Sequence, residues 1–81
     1  MEKFKFEVKE ELAVLSEYSD FTKKLARVMR WGEGELGLDL RTWYKKEGTD
    51  EFLPGKGIFL SLSQVQVLGD VLEKAKVLLG G

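Results

Sequence analysis

Between Leu36 and Trp43 the chain alternates residue by residue. Leu36, Leu38, Leu40 and Thr42 fall on one side of an extended backbone, and Gly37, Asp39, Arg41 and Trp43 on the other. No other stretch constrains the fold as strongly, because a period-two pattern matches the pleat of a strand and not the turn of a helix. The aliphatic side is expected to face the core, which leaves a Trp beside an Arg on the opposite side.

Weaker versions of the same pattern flank this strand. From Phe4 onward the apolar residues Phe4, Phe6, Val8, Leu12 and Val14 occupy even positions, with a break at Lys9-Glu10-Glu11 that suggests a bend or bulge. Ser19-Asp20 supplies a turn. The stretch Phe21 to Trp31 fits two readings. Phe21, Leu25, Val28 and Met29 make a helical stripe capped by Asp20 and Gly32, whereas Arg27, Met29 and Trp31 alternate as a strand would. Lys46 to Lys56, with Gly48, Asp50, Pro54 and Gly55, reads as a loop, and Ile58, Leu60 and Leu62 as a short strand.

Ser61 stands three residues before Gln64, the spacing of a capping box, and so predicts a helix start. The helix that follows is more apolar than one sheet requires. Val65, Leu68, Leu72, Ala75 and Leu79 form one stripe, while Val67, Val71 and Leu78 lie off it. A helix covering a single sheet needs an apolar arc of only about 100°. The surplus calls for a second partner, and the same helix from another copy is the simplest one. Chain length argues the same way. With 81 residues there is room for one domain. A domain of that size buries only roughly 60–65% of its unfolded surface, so association relieves a thin core. Val65, Leu68, Val71, Leu72, Ala75 and Leu79 are therefore the expected homodimer contacts.

The residue inventory excludes most catalysis. The chain has no Cys and no His, which removes disulfides, thiol nucleophiles, imidazole bases and nearly every zinc or copper site. Glu10 and Glu11, adjacent in a strand, point to opposite faces and cannot pair over one substrate. Ser61 and Ser63 have no base beside them. Gly55-Lys56-Gly57 is too short for a phosphate-cradling loop. No enzyme activity, cofactor, metal or small-molecule substrate is expected. The segment Met1 to Lys5 carries Glu2, Lys3 and Lys5 and no long apolar run follows, so a cytoplasmic protein without membrane contact is expected.

The positive expectation is a nucleic-acid surface. Net charge is only −1, but Lys23, Lys24, Arg27 and Arg30 lie between Phe21 and Gly32 with no acid among them. Trp43 shares a face with Arg41, and Trp31 shares one with Arg27 if that stretch is a strand. A Trp on the polar face of a sheet exposes a large ring, and stacking on bases, at about 1–3 kcal/mol per base, gives that exposure a use. Packing of both indoles against loops or a second subunit is the alternative.

Leu38-Asp39-Leu40-Arg41-Thr42-Trp43-Tyr44, an acidic glycine-containing loop, Pro54-Gly55-Lys56-Gly57-Ile58-Phe59-Leu60-Ser61 and a terminal helix follow one another in this order. That succession resembles the C-terminal domain of transcriptional positive cofactor four, especially its bacterial and phage single-stranded-DNA-binding relatives. The resemblance implies an α+β fold, a curved four-stranded antiparallel sheet followed by one C-terminal helix. Strands would lie at about 4–16, 24–31, 36–45 and 57–61 and the helix at about 62–79, with dimerisation through the helices. It tips Lys24 to Trp31 toward a strand. It also implies that Arg41 and Lys56 contact the nucleic-acid backbone, that Arg27 has a counterpart, and that one of Trp43 and Tyr44 stacks on a base. Together with Lys24 and Trp31 these residues make up the expected site. The expected partner is single-stranded DNA, bound without sequence preference. The alternatives are RNA and, on the same fold, a polypeptide partner.

Overall fold

The computed structural model describes residues 5–80. Phe4, the expected first strand residue, and Gly81, at the expected helix end, lie outside the described residues. The elements are β1 (Phe6–Ser19), β2 (Thr22–Trp31), β3 (Gly37–Lys45), β4 (Phe52–Leu60) and α1 (Leu62–Gly80). The strands form one antiparallel sheet in the order β1-β2-β3-β4, so each hairpin partner is also the sequence neighbour.

Thr22–Trp31 is a strand because it has strand partners on both sides along its length. β1 pairs with it from Phe6↔Trp31 to Ser19↔Thr22, and β3 from Met29↔Gly37 to Thr22↔Tyr44. Two ladders of backbone hydrogen bonds outweigh a short helical stripe. Gly32, placed as a helix cap by the other reading, instead sits at φ 58° in the turn after β2. The break at Lys9-Glu10-Glu11 is a register shift between Val8 and Glu10, the first of four along β1. Each shift adds twist to this edge strand.

β4 is longer than expected. Residues 52–56 of the expected loop belong to β4, with Phe52 opposite Lys45, Leu53 opposite Tyr44 and Pro54 opposite Trp43, and Gly55 and Lys56 in the register shift that follows. Pro54 is tolerated because β4 is an edge strand, with a register shift directly after it. Beyond it, a Cβ on Gly57 would fall onto the Arg41 Cβ and the Leu40 carbonyl, so only glycine lets the two strands meet there.

The core does not lie where the alternation suggested. Leu25, Met29 and Trp43 are the buried cluster, with Trp31 and Phe52 packed against it. All five alternate onto the face of Asp39 and Arg41, so the Trp–Arg side of β3 is the packed one. Leu38, Leu40 and Leu60 on the other face are only half-buried. The reason is coverage. Large rings from neighbouring strands cover one another on the first face. The second face has only α1, which touches β3 and β4 lightly.

The capping box forms as expected. The Ser61 N–H donates to Gln64 Oε1 at 2.9 Å, and the Gln64 N–H to Ser61 Oγ at 3.4 Å. No described residue of α1 is buried.

Candidate functional site

The face shared by Asp39, Arg41 and Trp43 is built from the ladder upward. Residues paired across an antiparallel sheet point the same way. The register therefore adds Lys23, Leu25 and Arg27 from β2 and Phe52 and Phe59 from β4. Phe6 joins from β1 opposite Trp31.

Aromatic rings and cations interleave on this face. The indoles of Trp31 and Trp43 are near-parallel, 9° apart in plane with centroids 6.4 Å apart. Phe6 tilts against both, at 5.2 and 5.3 Å. The Arg27 guanidinium lies 4.8 Å from the Trp43 ring and that of Arg41 lies 4.9 Å from Trp31. At the far end Lys23 stands 4.5 Å over Phe52, and Lys45 is 5.7 Å from both Phe52 and Phe21. Each contact is within the range at which a ring quadrupole attracts a cation.

Asp39 organises the centre. It has no exposed surface, and it accepts hydrogen bonds from Trp31 Nε1 at 3.0 Å, Arg41 Nε at 2.9 Å and Arg41 Nη2 at 2.9 Å. Arg41 Nη1 donates to the Gly55 carbonyl at 3.0 Å. A guanidinium has five N–H donors, so Arg41 keeps two beyond these three bonds. Those two are what it can offer to an anion.

The expected site residues divide between the two faces. Arg27, Trp31, Arg41 and Trp43 come together. Lys24 and Tyr44 lie on the opposite face, Lys24 paired with Thr42 and Tyr44 with Leu53. Lys24 and Ser16 hold the Tyr18 phenol below its usual pKa, chiefly through hydrogen bonding to Ser16 and then to Lys24. Lys56 is exposed on β4.

Trp43 needs a correction. At 1% exposure its ring forms the floor of the site and offers no free face to a base. Its Nε1 finds no hydrogen-bond partner among the described residues. Of the Trp43-Tyr44 pair, Tyr44 is the exposed one, at 48%. The half-open rings on the aromatic face are Trp31, Phe52, Phe6 and Phe59. Sequence reasoning missed Lys23, Lys45 and Phe52 as members of this face. Parity was a usable signal for the first two, Lys23 with Arg27 on β2 and Lys45 with Trp43 on β3. Phe52 was hidden by the reading of its segment as a loop.

The family model described as Transcriptional Coactivator p15 (PC4) matches residues 20–71, from the turn before β2 into α1. No curated protein matches the chain.

Proposed function

The chain belongs to the transcriptional coactivator p15 (PC4) family, known for nucleic-acid binding and coactivator roles, and from that premise we propose that it binds single-stranded DNA as a homodimer, without sequence preference. The observation that carries this reading is the interleaving of cations and half-open rings on one face. A single strand presents unpaired bases at intervals between phosphates. Rings spaced among cations fit that alternation, whereas duplex bases are stacked on one another and closed to them.

Each side chain then has a role. Arg27 and the spare donors of Arg41 meet phosphate oxygens, and Lys23 and Lys45 extend the cationic path toward Phe52. Trp31 and Phe52 are the stacking surfaces. Trp43 supports Arg27 from below and does not itself stack. Stacking and phosphate contacts carry little base information, so binding is expected to be alike for mixed sequences. RNA satisfies the same two contacts. Competition between matched DNA and RNA oligomers separates the polymers.

Fluorescence titration with oligo(dT) tests the reading. The expected result is quenching that persists in Trp43→Phe, where Trp31 is the sole indole, and disappears in Trp31→Phe. Affinity should be higher for the single strand than for a duplex of equal length. Its logarithm should fall against log salt with a slope of about −3 if four phosphates are neutralised per protomer. Arg27→Ala should weaken binding to every sequence alike. Arg41→Ala does not test the same contact cleanly, because it strands the buried Asp39 charge. Equal affinity for duplex and single strand, or quenching unaffected by Trp31→Phe, refutes the stacking site.

A further inference from the structure

The basic run of β2 is not free in the folded chain. The β1–β2 register sets Glu7 opposite Arg30, Glu11 opposite Arg27 and Glu17 opposite Lys23. The first two of these couples close into ion pairs, Glu7 with Arg30 and Glu11 with Arg27. Only the second lies on the aromatic face. There one Glu11 oxygen accepts from both Arg27 Nε at 3.3 Å and Arg27 Nη2 at 3.2 Å.

The two arginines of the aromatic face are thus held by carboxylates of different kinds. Asp39 is fully buried and binds Arg41 at 2.9 to 3.0 Å, so nothing can displace it without opening the core. The Glu11 side chain is 45% exposed and sits on an edge strand. Register shifts flank it on both sides, at Val8/Glu10 and Glu11/Ala13. Its bonds are longer than the usual 2.7–2.9 Å of a charge-assisted contact. A pair of this kind is weak and exchangeable.

From this contrast, and resting on the single-strand reading above, we infer that Glu11 is an internal competitor for the phosphate that binds Arg27. Its carboxylate occupies the Nε–Nη2 edge, the edge best shaped for a bidentate oxyanion. An arriving phosphodiester must either displace it or lie close to it. Both raise the free energy of the complex, because two anions within about 8 Å are poorly screened at physiological ionic strength. β1 precedes the span matched by the family model. The strand therefore tempers Lys23, Arg27, Arg41 and Lys45, the cations that the matched region brings to this face.

The test is Glu11→Gln, which keeps an acceptor oxygen for Arg27 and removes the charge. Glu10→Gln makes the same change in net charge on the same strand, but opposite Val28 on the other face. Glu11→Gln should bind oligo(dT) about two- to fivefold more tightly than the wild type at low salt, the gain shrinking as salt rises. Glu10→Gln should give less than half that gain. Weaker binding by Glu11→Gln would make Glu11 a positioning group for Arg27, and equal gains from both variants would reduce the effect to net charge. Either result overturns the inference. If wild type binds and Arg27→Ala weakens it while Glu11→Gln changes nothing, the inference alone fails. If wild type does not bind the oligomer, the single-strand reading fails with it.

Discussion

Asp39 shows what one buried charge does in a small sheet. Taking a carboxylate out of water costs several kcal/mol unless the geometry of its partners is close to ideal. Here a forked guanidinium and an indole N–H meet it, both within 3.0 Å. The return is orientation. The Arg41 side chain and the Trp31 ring are held in one relation to each other before any ligand arrives. Asp39→Ala leaves Arg41, itself only 16% exposed, without a counter-charge. It should lower stability by about 3–5 kcal/mol in urea denaturation, as breaking a buried pair usually does. Asp39→Asn keeps an acceptor for the indole and should cost clearly less. If the two variants cost the same, the indole contact contributes nothing.

The strand β4 is the element whose behaviour was hardest to foresee. Pro54 and the glycines around it read as loop, since both residue types are depleted in strands. Pairing with β3 depends on them for a local reason. Gly57 leaves the space that the Arg41 stem fills, and the register shift between Arg41 and Trp43 is where β4 passes Pro54. Gly57→Ala should therefore cost about 1–3 kcal/mol by overpacking, measured by thermal or urea unfolding. It should also weaken oligo(dT) binding, because Gly55 and Arg41 share a hydrogen bond. A neutral Gly57→Ala would mean that the strands have room to part. At the helix the local code was sufficient. Ser61 and Gln64 were legible as a cap because a capping box acts within four residues and needs no tertiary partner.

At the scale of the whole molecule, the second face of the sheet is unfinished in a single chain. Leu72, Val71 and Leu79 are exposed on α1, and Leu12, Leu36 and Ile58 are exposed on the sheet side. An open apolar groove of about 380 Å³ lies between the start of α1 and the sheet, lined by Leu12, Val28, Leu36, Leu38, Leu62 and Val65. Exposed apolar surface on this scale is costly for a small domain. The proposed dimer would cover it. Sedimentation equilibrium should give twice the chain mass, and Leu72→Asp should shift that equilibrium to monomer. A monomer at micromolar concentration, with α1 as stable as the sheet, would refute it.

Sequence by itself determined the strand at Leu36–Trp43, the capped terminal helix, the family resemblance and the poverty of catalytic groups. These rest on periodicity, residue inventory and short motifs, all of which act over a few neighbours. Phe21–Trp31 stayed open between helix and strand until its ladders to β1 and β3. Sequence also set Arg41 beside Trp43, and Arg27 beside Trp31 once that stretch is a strand, since parity is counted along one strand; the β2–β3 register then joined the two pairs on one face. What only tertiary structure decided is which face is the packed one, and hence that Trp43 is a buried floor while Tyr44 is open. Alternation says that two faces differ and leaves open which of them finds cover. Here rings contributed by three strands cover each other while a lightly packed helix leaves leucines half-bare. The same holds for the basic run of β2. Four cations without an acid among them looked free along the chain. Across the sheet, the register of β1 set glutamates opposite three of the strand's cations, and two of those couples close as ion pairs.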